Sequence, residues 1–365
     1  MQFLSKRWRW AIQVLALAAL CDFAPVMCGR LSAEDAAPQA AVPEAVRNAA
    51  VAGAPPAPDE VKVGVYVNDI HELDFRTNSY SVDLYIWFRW RNSGSNPVKG
   101  MEFMNRFTPT DHQRDTLLEK PKAMPDGSFY GIIREQGRFS AKFRLERYPY
   151  DEQVLKVVFE DSVSTIGLQR YAPDTVAISM NPEITLPGYK VGRPSLHVIT
   201  NVYPTNFGDI SLTQGEAYSR VIVEMPVTRP LFTASIKNFV PILLIIVCST
   251  LVLLVRPLYV EGRIGLCITA LLTLVALQLT AAATLPDVDY LMLIDKAYLV
   301  SYAYIIAVLS RVVWASWVET GDKSEETVRS GDRRAALILV FAYAAIMATT
   351  FGWALARPVT QLAAG

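Results

Sequence analysis

Four long apolar segments in the C-terminal part of this 365-residue chain constrain its fold more than any other feature. They predict helices at about residues 231–255, 264–285, 294–318 and 333–357. A helix rises ~1.5 Å per residue, so about 20 residues cross the ~30 Å hydrocarbon core of a bilayer. Residues 229–358 are therefore predicted to form a four-helix transmembrane bundle.

The preceding segment, residues 60–228, has the two-residue periodicity of β-strands rather than a helical pattern. In residues 81–91, one face is wholly apolar: Val82, Leu84, Ile86, Phe88 and Trp90. Similar strands are predicted at residues 61–70, 138–145, 154–159 and 219–225, with Gly, Pro and Asn turn signals between strands. Many short strands of this kind predict an immunoglobulin-like antiparallel β-sandwich. The fold class is thus a multidomain membrane protein, with a sandwich followed by the helical bundle.

The N-terminus has the pattern of a secretory signal. Residues 1–29 place Lys6, Arg7 and Arg9 before a short apolar run, residues 11–20, which is too short for a comfortable membrane span. An uncleaved anchor remains an alternative. Residues 30–59 are rich in Ala and Pro and carry no aromatic side chain, which predicts a flexible linker.

Charge in the connections between the apolar segments predicts the topology. Basic residues lie after the first segment and between the third and fourth: Arg256, Arg263, Lys323, Arg329, Arg333 and Arg334. The connection between the second and third is acidic, with Asp287 and Asp289. By the positive-inside rule the sandwich then lies outside the cytoplasm. With the signal, this predicts a multi-pass membrane protein with the sandwich in the periplasm or outside the cell.

Composition argues against several classes of function. The chain has 35 basic and 35 acidic residues, so net charge gives no reason to expect a nucleic acid partner. The sequence has no Cys/His spacing for a metal site and no motif for a catalytic nucleophile or a phosphate-binding loop. We predict no enzyme activity, no metal and no cofactor.

The second apolar segment carries a stripe of small and apolar residues at helical spacing: Gly265, Thr269, Leu272, Ala276, Leu279 and Ala283. A ring of such helices can enclose water, and rings of Leu272 and Leu279 would form an apolar constriction that gates by dewetting. A ring of Glu261, just before the stripe, would concentrate cations at the mouth. The alternative interpretation is a helix–helix packing face, where small residues and Thr are common.

Residues 143–151, FRLERYPYD, resemble the signature loop F-x-L-x-x-(F/Y)-P-x-D of the pentameric ligand-gated, or Cys-loop receptor-like, ion channels. Ala141 and Leu155 occupy the positions of the two cysteines that flank this loop in the animal receptors. The absence of these cysteines is typical of bacterial members of the family. The order of Arg229-Pro230, four spans and Leu285-Pro286 extends the resemblance over most of the chain.

The resemblance to bacterial members implies a homopentamer in the lipid of the bacterial inner membrane that conducts monovalent cations and is opened by a small-molecule or proton agonist. It implies coupling between sandwich and pore through Asp74, Pro149, Asp151, Arg229 and Pro286. It also implies a ligand site between neighbouring sandwiches, behind a hairpin at residues 201–217. Its candidate residues are Tyr85, Trp87, Tyr130, Glu160, Tyr203 and Phe207. Only part of the aromatic residues that bind an amine in animal receptors is present, so an amine and a proton are both retained as candidate agonists. A membrane-anchored periplasmic sensor or binding protein without a conducting pore is the alternative function.

Overall fold

A computed structural model describes residues 57–208, 215–319 and 325–356. The predicted signal and almost all of the predicted linker lie outside these residues, as does the tip of the hairpin. The chain forms two compact units. One contains the strands up to residue 143 and from 152 to 230, and the other contains residues 144–151 and the helices from 231 onward.

The first unit is a sandwich of two sheets, as predicted. Its strands are β1 (Asp59–Asp74), β2 (Ser79–Trp90), β3 (Met101–Phe103), β4 (His112–Thr116), β5 (Lys122–Ala123), β6 (Phe129–Ser140), β7 (Glu152–Asp161), β8 (Gln169–Met180), β9 (Lys190–Val191), β10 (Ser195–Val202) and β11 (Ala217–Thr228). One sheet has the order β4-β6-β2-β1-β8, with β5 beside β6. The other has the order β10-β11-β7-β3, with β9 beside β11. A single helical turn, Pro97–Gly100, precedes β3.

Alternating apolar residues of both sheets form the core of the sandwich. The predicted apolar face of β2 is at most 1% exposed along its whole length. It meets the other sheet at β7, where the rings of Phe88 and Phe159 pack edge to face with centroids 6.4 Å apart. Burial of one face fixes the strand register, because a slip of one residue would expose every apolar side chain.

Two features of the sandwich differ from the sequence-based expectation. The strand predicted at residues 138–145 ends at Ser140 in the structure, because the chain leaves the sheet there to form the signature loop. In addition, β1 and β8 pair in parallel, with Asp59 opposite Gln169, although the sandwich was predicted to be antiparallel. Strand β8 follows β7 of the other sheet, so no tight hairpin fixes its direction.

The second unit contains four helices that are long and apolar enough to cross a membrane. They are α1 (Leu231–Val252), α2 (Val260–Ala282), α3 (Leu293–Glu319) and α4 (Glu325–Ala356). Together with the sandwich, they confirm the predicted fold class.

The ends of the helices have local causes that the apolar pattern does not show. Helix α1 ends at Val252, and residues 253–255 continue in tighter i to i−3 hydrogen bonds before Pro257. Helix α2 begins at Val260 rather than 264, and α4 begins at Glu325 rather than 333, because both include a charged first part. Charged residues continue a helix as readily as apolar ones when their charges are exposed or paired.

Candidate functional site

The predicted stripe on α2 is exposed along its whole length. Each of its six residues is exposed, and Leu272 and Leu279 are 63% and 66% exposed. The opposite face packs inside the helical unit through Arg263, Cys267, Ala270 and Leu274. The exposed surface is wider than the stripe. The surface of α2 is therefore divided into a face buried inside the helical unit and an exposed face.

Threonine hydroxyls shape the polar part of this exposed face. The Thr269 hydroxyl donates to the Gly265 carbonyl over 2.9 Å, and the Thr273 hydroxyl donates to the Thr269 carbonyl over 2.8 Å. Since each hydroxyl proton is used within the helix, the lone pairs of the hydroxyl oxygens remain on the outer surface. Thr280 makes the same kind of bond to the Ala276 carbonyl, so the exposed face offers hydroxyl oxygens along its length, interspersed with the exposed Leu272 and Leu279.

A buried group of three charges joins α2, α3 and α4. Arg263 donates from Nη2 to Asp332 Oδ2 over 2.7 Å, and Nη2 of Arg311 lies 2.6 Å from Asp332 Oδ1. The side chains of Arg263, Arg311 and Asp332 are 1%, 7% and 1% exposed. Arg263 also donates from Nε to the Val252 carbonyl, and Arg311 lies over the ring of Trp314. In the sequence analysis Arg263 was used for topology, and this group was not predicted. The sequence feature that could have indicated a buried charge group is Asp332, an acidic residue beside the fourth apolar segment.

This buried group determines which charge α2 presents at its N-terminal end. Arg263 is directed into the helical unit and is paired with Asp332, whereas Glu261 is exposed. The exposed charge next to the stripe is therefore a carboxylate, although an arginine lies two residues away in the sequence.

The signature loop packs on the helices of its own unit. The backbone N–H of Leu145 donates to the Tyr290 hydroxyl over 3.0 Å, and the N–H of Leu293 donates to the Glu146 carbonyl over 3.0 Å. The Tyr150 ring stacks on Phe239 of α1 with centroids 5.9 Å apart. The loop thus contacts α1, the start of α3 and the connection that follows α2.

The predicted coupling residues fall in both units. Pro149 and the buried Asp151 lie in the loop that packs on the helices, and Pro286 lies in the connection after α2. Asp74 and Arg229 belong to the sandwich unit. The contact between Asp151 and Arg229 stays a prediction.

Asp74 and Arg229 are held by neighbours within the sandwich unit. The Asp74 carboxylate accepts from the Thr77 hydroxyl over 2.7 Å and from Arg138 Nη2 over 3.0 Å. Partial burial acts to raise the pKa of Asp74, but the hydrogen bonds from Thr77 and the charge of Arg138 outweigh it and lower the pKa. The guanidinium of Arg229 lies 4.6 Å from the centroid of Tyr189 and 5.1 Å from that of Phe75. Such cation–π contacts fix the position of a charged side chain.

Three of the predicted ligand residues meet at the base of the hairpin. Tyr203 donates its hydroxyl to the buried Glu160 carboxylate over 3.0 Å, and the ring of Phe207 lies 5.2 Å from the ring of Tyr203. The structure adds Arg220 on β11, which was not predicted. It is paired with Glu160 through Nε and donates from Nη2 to the Tyr203 hydroxyl over 3.0 Å. Tyr218 packs on the other side of Tyr203, with centroids 5.7 Å apart.

The Glu160 carboxylate in this cluster is already compensated by Arg220. Burial, the hydrogen bond to Glu160 and its negative charge raise the pKa of Tyr203, so the phenol keeps its proton at neutral pH. The cluster therefore presents aromatic faces and a neutral ion pair rather than an unpaired carboxylate. The sequence offered only the place of Arg220 on the alternating strand β11, and the sheet register sets it opposite Glu160 of β7.

The remaining ligand candidates lie on the other sheet. Tyr85 on β2 packs against Tyr66 and lies under the guanidinium of Arg134, 5.4 Å from it. Trp87 donates from Nε1 to Asp174 over 3.0 Å. Tyr130 on β6 is opposite Arg89 in the register; partial burial and the charge of Asp174 raise its pKa. These residues form a second aromatic group that is distinct from the cluster around Tyr203.

No protein-family model matches the chain. Among curated proteins, it is 22% identical over 278 residues to a proton-gated ion channel of Gloeobacter violaceus, covering 71% of this chain and 74% of that protein. It is 22% identical over 303 residues to a glutamate-gated chloride channel subunit beta of Haemonchus contortus, covering 77% of this chain and 69% of that protein. It is 21% identical over 297 residues to the human gamma-aminobutyric acid receptor subunit gamma-3, covering 75% of this chain and 61% of that protein. With the sandwich and the four helices that could span a membrane, these similarities support membership of this chain in the Cys-loop receptor superfamily of pentameric ligand-gated ion channels.

Proposed function

We propose that five copies of this chain form a cation channel in the bacterial inner membrane, opened by a small ligand or by protons at interfaces between periplasmic sandwiches. The observation that carries the proposal is the division of α2 into a buried face and an exposed stripe. The relatives described above are channels rather than enzymes, which supports the same conclusion.

The chemistry of the exposed face of α2 favours contact with water over contact with lipid. A helix that faces only lipid gains nothing from exposed hydroxyl oxygens or from a carboxylate at its end, since both lose hydration in hydrocarbon. Thr269, Thr273 and Glu261 lie on the exposed side of α2. Around a central pore, the same groups would contact water and ions, and Leu272 and Leu279 would narrow the pore and exclude water when it is closed.

Cation selectivity follows from the same charges. A ring of Glu261 carboxylates would attract cations to the inner mouth. Arg263 would oppose this effect if it faced the pore, but its guanidinium is buried and paired with Asp332. We therefore assign the charge selectivity to Glu261.

For the agonist, we propose the cluster of Glu160, Tyr203, Phe207 and Arg220, together with Tyr85, Trp87 and Tyr130 of the neighbouring subunit. Their aromatic faces suit an organic molecule. The compensated state of Glu160 argues against a simple cation-binding carboxylate. A proton is the second agonist class, because one relative is a proton-gated channel.

For coupling, we propose that motion of the sandwich reaches the pore through the signature loop. Pro149 and Asp151 belong to a loop that is hydrogen-bonded to the start of α3 and packed on α1. In this proposal Asp151 pairs with Arg229, Asp74 supports the pair from the turn after β1, and Pro286 forms the receiving side after α2.

Purified protein in planar bilayers tests the proposal. Currents should appear on acid steps or on addition of members of a panel of small amines and amino acids. In a salt gradient, the reversal potential should lie near the cation equilibrium value, and Glu261→Gln should move it toward zero. Glu325→Gln, which neutralises an exposed carboxylate at the start of α4, is the matched control and should leave it unchanged. Ligand binding without current under any condition would instead support a sensor or binding protein without a pore.

A further inference from the structure

We propose that His112 and Glu135 together form a proton-binding site inside the sandwich. When the site is occupied, His112 carries a proton on both ring nitrogens and donates from Nδ1 to the ionised Glu135, and this bond links β4 to β6. The proposal rests on the proposed channel function only where it concerns gating. The site itself is argued from contacts within the sandwich unit.

Both nitrogens of the His112 ring face hydrogen-bond acceptors. Nδ1 lies 2.9 Å from Oε1 of Glu135, and Nε2 lies 2.7 Å from the backbone carbonyl oxygen of Arg138. The imidazole side chain is 3% exposed and the Glu135 side chain is fully buried, so water does not replace either partner.

The two contacts of the His112 ring require more protons than a neutral imidazole carries. A carbonyl oxygen only accepts, so Nε2 carries a proton toward Arg138. A neutral imidazole has one N–H, so Nδ1 would then point a lone pair at the Glu135 carboxylate, which is also an acceptor. The contact at Nδ1 becomes a hydrogen bond only when one more proton is present. That proton lies on Nδ1 of His112 rather than on Glu135, because two arginines favour the ionised carboxylate.

The charged groups around the pair come from three segments. Arg114 on β4 donates from Nε to Glu135 Oε2 over 2.8 Å, and Nη2 of Arg106, in the segment before β4, lies 3.6 Å from Oε1. The guanidinium of Arg138 on β6 is paired with Asp74 instead. The described residues thus give one carboxylate three cationic neighbours, and the histidine contributes the third positive charge only while it holds the extra proton.

The neighbouring strand is shaped to admit the imidazole. A Cβ atom at Gly137 on β6 would lie 2.1 Å from Nδ1 of His112, so only glycine leaves room for the ring there. Phe139 packs edge to face on the ring, with centroids 4.9 Å apart, and Phe103 lies 6.3 Å away. An enclosed ion pair with all its hydrogen bonds made is expected to hold its geometry strongly.

The strand that carries His112 is directly preceded by a segment that contacts the candidate ligand cluster. Between β3 and β4, residues 104–111 run from Met104, whose sulfur lies 3.7 Å from the Tyr203 hydroxyl, to the strand that carries His112. Loss of the extra proton removes the bond at Nδ1 and loosens β4 from β6. The state of the proton would in this way bias the position of Met104 against Tyr203 and the response to an agonist.

Nitrogen NMR of the full-length protein, labelled only in histidine and reconstituted in lipid vesicles, tests the site directly. The chain has three histidines, and the side chains of His71 and His197 are 50% and 57% exposed. Single His71→Gln and His197→Gln variants assign the signals. At pH 8, where solvent-exposed histidines are mostly neutral, we expect both nitrogens of His112 to be protonated. A bare nitrogen on His112 at pH 8 would overturn the proposal.

Thermal unfolding between pH 6 and 9 gives a second readout. If the folded chain holds the extra proton and the unfolded chain releases it, the folded state binds more protons and its stability falls as pH rises. The loss reaches about tenfold in the folding equilibrium constant per pH unit and per site. This slope should be absent in His112→Gln and unchanged in the control His197→Gln. An equal slope in all three proteins would refute the site.

These results are separable from the channel proposal. Protonated His112 in a protein that passes no current would keep the site and refute the channel. Normal currents with neutral His112 would refute the site alone. If His112→Gln does not fold, the NMR measurement on the wild-type chain decides the question.

Discussion

Replacing Asp332 with Asn tests whether the buried charge group determines the stability of the helical unit. The side chains of Arg263, Arg311 and Asp332 are almost inaccessible to solvent, and Asp332 is the acidic partner of both arginines. The substitution keeps the size of the side chain but leaves two buried guanidinium groups without a counter-charge. Removing one partner of a buried pair costs about 3–5 kcal/mol of unfolding free energy.

The assay is thermal unfolding of the purified protein, followed by tryptophan fluorescence. At roughly 2–4 °C per kcal/mol for a unit of this size, the unfolding midpoint should fall by about 10 °C. The control is Glu146→Gln, which removes a pair with Arg144 in which both side chains are about half exposed. Exposed pairs contribute ~0–1 kcal/mol, so the control should be near wild type.

A replacement of all three charges separates the cost of an unpaired charge from loss of packing. In the triple variant Arg263→Met, Arg311→Met and Asp332→Leu, no buried charge remains. Replacing a buried ion pair by apolar residues of similar volume is often neutral or stabilising. The triple variant should therefore be more stable than Asp332→Asn alone. If Asp332→Asn unfolds at the wild-type temperature, or the triple variant is the least stable, the reasoning is wrong.

Three further changes test other parts of the account. Leu272→Ser should hydrate the proposed constriction and give current without agonist in bilayers, whereas wild-type behaviour would reject Leu272 as the gate. Burial acts to raise the pKa of Asp83, but hydrogen bonds, led by those from Arg134, lower it. Its contribution is therefore present above about pH 3.9 and lost as pH falls through the lowered pKa, so Asp83→Asn should flatten the acid side of the stability curve. Tyr203→Phe removes a hydrogen bond to Glu160 and should weaken the agonist response at least severalfold while leaving ion selectivity unchanged, and an unaltered dose–response curve would count against the ligand cluster.

The sequence was most informative where burial is one-sided. In β2 the apolar face follows strict alternation, and in α2 the exposed stripe follows helical spacing, so both could be predicted from residue spacing alone. Strand β10 escaped prediction because Ser195–Val202 lies at the edge of its sheet and is only partly covered, which leaves a mixed pattern. The first part of β6 also escaped, because Gly131, Glu135 and Gly137 interrupt the apolar alternation of its inward face.

Pairing between charged residues could not be predicted from the sequence. Nothing local connects Arg263 with Asp332, or Glu160 with Arg220, because each pair is joined only by the packing of distant elements. The same holds for His112 and Glu135, which meet because β4 and β6 are neighbours. Sequence reasoning thus found the surfaces of the candidate sites, whereas the structure supplied the charges that tune them.

Accessibility of single cysteines on α2 tests the central claim most directly. In a background without Cys248 and Cys267, cysteines at the positions of Gly265, Thr269 and Leu272 should react with a charged thiol reagent and block the current. Cysteine at Leu274, on the buried face, should not react. Equal reaction on both faces, or no reaction on the stripe in conducting channels, would show that α2 does not surround water.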